Sequence, residues 1–103
     1  MSERAAETHA RIVREITQEK AVTLGRAGER LEAALATLGA LTRAWQAAAD
    51  DEAERARLAA EYEQAWRHAE TARLTLLIQR EAVGLRHHRD VEQQFPRRPR
   101  RLE

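Results

Sequence analysis

No cysteine occurs in the sequence, which excludes disulfides, thiolate nucleophiles and cysteine-ligated metals and leaves no redox signature of compartment. The two prolines, Pro96 and Pro99, both follow Phe95, and only four glycines are present, which argues against a turn-rich β fold. No eighteen apolar residues occur together, and the opening MSERAAETHARIV lacks the apolar run of a secretory signal. The expectation is a soluble, cytoplasmic protein. Aromatics are limited to Trp45, Tyr62, Trp66 and Phe95, and much of the 43% hydrophobic content is alanine. Bulky side chains for a core are therefore few, and a chain of 103 residues lies near the lower end of what builds a core unaided. Such a chain usually gains its remaining burial by pairing with another.

What is abundant is Ala, Glu, Arg and Leu, with 34% charged residues, the composition of long helices and coiled coils. The stretch Leu24 to Ala49 organises the rest. Leu24, Leu31, Leu35, Leu38, Leu41 and Trp45 recur at helical spacing and fall along one side of a helix. Ser2 provides an N-cap, and Glu3 and Glu7 favour the positive end of the helix dipole. Ile12, Val13 and Ile16 form an earlier apolar patch. Gly25 and Gly28 each cost about 1 kcal/mol against Ala inside a helix, but the helical period continues through them without proline, so the reading favours an unbroken helix over a bend near Leu24.

The apolar period stops at Asp50 and Asp51, where Asp50-Asp51-Glu52 can cap a second helix. A connection this short joins antiparallel helices. The expected fold class is all-α: a helical hairpin with helices over about 3–49 and 51–88, within a domain spanning residues 1–95. Leu58, Tyr62, Trp66, Ala69, Leu76 and Val83 line the second helix. Folding the chain about residue 50 sets residue i opposite roughly 101 minus i. Leu35 then meets Trp66, Gly39 meets Tyr62, and Gly25 to Gly28 meet the cluster from Leu74 to Ile78, which suggests that the glycines are packing notches. That cluster covers more of the helix than one partner can hide. A second copy completing a four-helix bundle as a homodimer is the favoured cover; the chain's own N-terminal segment or a hetero-partner are the alternatives. The expected interface residues are Leu31, Leu35, Leu38, Trp45, Tyr62, Trp66, Leu74, Leu77 and Ile78.

Net charge is uneven. The first 85 residues sum to −2 and the stretch from Arg86 to +3. Phe95-Pro96 stops any helix, and residues 96–103 read as a basic, disordered tail, in which Leu102 and Glu103 carry no weight. Arg97, Arg98, Arg100 and Arg101 are candidate contacts for an acidic protein or for nucleic-acid phosphates.

Signs of chemistry are sparse. His87 and His88 are adjacent, point about 100° apart on a helix and cannot chelate one ion as an i,i+4 pair does. His9 and His68 are isolated, no Glu-x-x-His occurs, and no Ser/His/Asp or Cys/His arrangement is visible. The Gly25-Gly28 run lacks the preceding strand and Gly-Lys-Ser/Thr of a phosphate loop. No catalytic residue, cofactor or metal site is expected. A ligand-binding bundle would require a buried polar group such as Arg73 or Arg80. Finally, ITQEKAVTLGRAGERLEAAL (Ile16–Leu35) and LIQREAVGLRHHRDV (Leu77–Val91) together resemble a family of small, uncharacterised bacterial α-helical proteins. The resemblance covers about a third of the chain and implies only a bacterial, all-helical protein without assigned activity.

Overall fold

The computed structural model describes residues 2–102. Ser2 accepts a hydrogen bond from the Ala5 amide at 3.1 Å and caps α1, Glu3–Ala48, which runs unbroken through Gly25 and Gly28. A tight turn follows, closed by the Asp51 amide on the Ala48 carbonyl at 2.8 Å. Asp51 then caps α2, Glu52–Ala82, by accepting from the Glu54 amide at 3.1 Å. The two helices pack against each other as an antiparallel hairpin. Among the described residues no strand is present, and no helix is long and apolar enough to cross a membrane.

The core lies along the predicted stripe in two clusters. One joins Ala27, Leu31 and Leu76 to Val91 and Phe95. The other joins Ala34, Leu38, Tyr62 and Ala69, with Leu35, Leu41, Ala65 and Trp66 packed against it.

Three expectations are corrected. First, α2 ends at Ala82 rather than near His88. Gly84 adopts φ +96°, its amide donates to the Glu81 carbonyl at 3.0 Å, and the Leu85 amide donates to the Arg80 carbonyl at 2.9 Å. This is a Schellman stop, and glycine supplies its left-handed residue without steric cost. Second, residues 96–102 are not a free tail. After the turn a short helix, α3, Arg89–Gln94, buries Val91 and, just past its end, Phe95. The chain then runs back along the hairpin as a strap, and Leu102 packs against the second cluster; Glu103 lies outside the described residues. Third, the glycines do not receive large side chains of α2. A Cβ at Gly25 would meet nothing within 4 Å, one at Gly28 would come 3.9 Å from Phe95 Cζ, and one at Gly39 would come 2.8 Å from Arg98 Nη2. At Gly28 and Gly39 the returning chain, through Phe95 and Arg98, takes the place that the folded register assigns to α2, and at Gly25 that place is open.

The helices differ in length by 15 residues, 46 against 31, or about 23 Å of rise. The molecule is accordingly elongated, 75 × 21 × 16 Å. The N-terminal end of α1 extends beyond α2.

Candidate interaction surfaces

The strap is held through its backbone as well as its side chains. Buried Tyr62 donates its hydroxyl to the Pro99 carbonyl, and the Trp66 indole Nε1 donates to the Arg98 carbonyl at 3.4 Å. An inward Tyr or Trp needs a partner for its polar end, and the strap carbonyls provide it. Burial pushes the Tyr62 phenol above its ordinary pKa, with Arg98 acting weakly in the opposite sense.

The four tail arginines have separate fates. Arg97 forms an ion pair with Glu70, Nη1 lying 2.8 and 2.6 Å from the two carboxylate oxygens, and its Nε lies 3.6 Å from Glu92. The Glu70 hydrogen bond raises the Arg97 pKa, with the nearby charge of Glu92 adding to it. Arg98 reaches over Gly39 toward Arg43, both guanidinium groups lying within 3.5 Å of the position a Cβ would take there. Arg100 stacks over Trp66 at 5.1 Å, a cation–π contact. Arg101 is exposed and, with Ala59, Tyr62, Glu63 and Leu102, borders a shallow cleft of about 320 Å³. The arginines are thus spread along the hairpin, and only part of their charge faces solvent unopposed.

Arg73 and Arg80 anchor the return of the chain. Arg73 is 2% exposed. Its Nη2 donates to the Phe95 carbonyl at 2.7 Å, just past the end of α3, and Nη1 lies 3.7 Å from Glu92. Its Nε and Nη1 have no hydrogen-bond acceptor among the described residues, so the group is only partly compensated for its burial. Arg80 grips both Asp90 oxygens at 2.9 and 3.1 Å and the His87 carbonyl at 3.1 Å. His88 lies between Arg80 and Glu81, with Nε2 3.0 Å from the Glu81 carboxylate. That geometry places the proton on Nε2, leaving Nδ1 to face Arg80 Nε at 3.4 Å. Both arginines are therefore used in joining α3 and the turn before it to the hairpin.

The expected interface residues divide into two groups. Leu31, Leu38 and Tyr62 are buried within the chain and have no surface to offer a partner. Leu35, Trp66 and Leu77 pack against the same clusters, and Trp45 is half-buried beneath Arg55, whose Cζ stands 3.5 Å from the ring centroid. Leu74 and Ile78 remain, 59% and 57% exposed, four residues apart on the outer side of α2. The structure adds Ile12, Val13, Ile16, Val22 and Leu85 as exposed large apolar residues.

Sequence reasoning marked Ile12, Val13 and Ile16 as apolar but missed that, among the described residues, each stays 47% exposed. It also missed Val91 and Phe95 as core. Their four-residue spacing in an otherwise polar stretch was the available signal, together with the spare donors of Tyr62 and Trp66.

These features define an all-helical hairpin closed by its own C-terminal strap, with apolar surface left on one projecting helix end and on the outside of α2. No protein-family model, curated protein or solved structure matches the chain.

Proposed function

We propose that the protein is a non-enzymatic, homodimeric interaction module that self-associates through its remaining apolar surface. The observation that carries this reading is the projection of α1 beyond α2 with Ile12, Val13 and Ile16 each 47% exposed. A helix of this length without tertiary support is marginal in water, and burial of its apolar side by a partner supplies the missing stabilisation. Leu74 and Ile78 offer a second apolar strip, the one from which a four-helix bundle would be built. Light scattering of the full chain tests the proposal: a particle of twice 11.8 kDa is expected, and a monomer at micromolar concentration refutes it.

A second reading, contact with nucleic-acid phosphates, is favoured by one observation. Arg43 and Arg98 converge over Gly39 with no carboxylate among the described residues paired to either, and an anion between them would relieve their repulsion. Binding that weakens steeply with salt and is lost in Arg43→Gln/Arg98→Gln is expected on that reading; no mobility shift at low salt removes it.

A further inference from the structure

Building on the proposed self-association, we infer that the projecting end of α1 pairs with the same segment of a second copy, antiparallel and centred near Arg14, so that Ile12 of each chain packs on Ile16 of the other.

The chain cannot cover this segment itself. Continuing α2 straight on would bring residues beyond Val83 alongside it, but the inward positions, stepping from Leu76 and Val83 at helical spacing, are His87, Asp90 and Gln94. Gly84 instead diverts the chain, and Val91 and Phe95 are spent in the hairpin core. The apolar positions beyond Val83 thus suit the turned-back path, and the cover must come from another molecule.

The segment suits a copy of itself. Glu3 to Lys20 holds four acidic and four basic residues, so two copies meet without net repulsion. At 100° per residue, Ile12, Ile16 and Ala5 lie on one side of the helix, with Arg14 directed away from it. In the antiparallel register Arg11 of one chain falls between Glu15 and Glu19 of the other along the same edge, each offset by about 3 Å of helix rise, and the relation repeats across the axis. Ala5 of the second copy falls opposite Thr23. There its small side chain meets an open groove of about 310 Å³ bordered by Ile16, Thr23, Leu24, Gln79, Ala82 and Val83. A parallel pairing would instead bring both α2 helices and both straps to the same end, where they compete for one face. Paired segments about 27 Å long bury on the order of 1,000 Å² in total, at the lower bound for a specific interface.

The absence of native cysteine makes the test direct. Full-length Ile12→Cys and Ile16→Cys are oxidised to the disulfide, a zero-length cross-link that does not bridge the offset of about 6 Å between like positions, separately and as an equimolar mixture. The mixture is expected to give several-fold more cross-linked dimer than either variant alone; equal yields, or more from the single variants, overturn the antiparallel register. In parallel, Ile12→Glu/Ile16→Glu is measured by light scattering and helical melting. Both positions are solvent-facing in the single chain, so the hairpin melt is expected to persist while the mass falls to that of one chain. A dimer that survives this double substitution overturns the α1 pairing while self-association through Leu74 and Ile78 stands, whereas a monomeric wild type overturns both.

Discussion

Phe95→Ala separates a strap that belongs to the core from a tail that merely follows it. Phe95 is 9% exposed and packs in a cluster with Ala27, Leu31, Leu76 and Val91. Truncating a buried phenylalanine costs about 3–5 kcal/mol through lost transfer energy and the cavity left behind. The lower figure applies here, because Phe95 borders a cleft of about 330 Å³ that also touches Gly25 and Gly28 and the site can partly collapse. A loss of about 3 kcal/mol is a large share of the roughly 5–15 kcal/mol that holds a domain folded. It corresponds to a fall in Tm of about 12–24 °C for a chain of this size. Urea unfolding followed by circular dichroism, with thermal melts at matched protein concentration, measures it. The hydrogen bond from Arg73 goes to the Phe95 backbone carbonyl and survives the substitution, so the effect reports the ring alone. A solvated tail would leave stability within about 0.5 kcal/mol of wild type; that result would refute the packing described here.

Tyr62, the only tyrosine, reports on the strap by its own absorbance. Burial disfavours the phenolate, so titration is expected to begin above the ordinary pKa of about 10 and to return toward it when residues 96–103 are removed. The sign for stability follows: the contribution is fully present below the unfolded pKa and is lost as pH rises from there through the raised folded value, where Tyr62 can no longer donate to the Pro99 carbonyl. An unshifted midpoint in the full chain would contradict burial beneath the strap. Gly25→Ala is expected to stabilise by about 1 kcal/mol, because the added methyl meets nothing within 4 Å and α1 gains helix propensity; destabilisation in a urea melt would restore the idea of a packing notch.

Much of the hairpin was legible along the chain. The seven-, four- and three-residue steps from Leu24 to Trp45 specify a helix with one buried side, and Asp50-Asp51-Glu52 marks where it reverses. The short connection requires antiparallel packing, and Leu35 and Trp66 both border the second core cluster. These are local or nearest-neighbour properties, which helical period and capping encode directly. The stop at Gly84 is not fixed locally, since a glycine inside a helical pattern is compatible with continuation or with a C-cap. The choice depends on where Val91 and Phe95 can be buried, a matter of distant surfaces.

The strap shows the limit most clearly. Its arginines and prolines have the composition of a solvated tail, and composition measures apolar content rather than available partners. What orders it is a set of long-range contacts: Phe95 against the groove beside Gly28, the carbonyls of Arg98 and Pro99 beneath Trp66 and Tyr62, and Arg97 on Glu70. The amino-acid sequence alone determined the two long helices, their opposed direction and the buried side of α1, because those follow from periods of a few residues. Only the tertiary structure decided which apolar residues were left over, because exposure is what remains after every distant part of the chain has found its place.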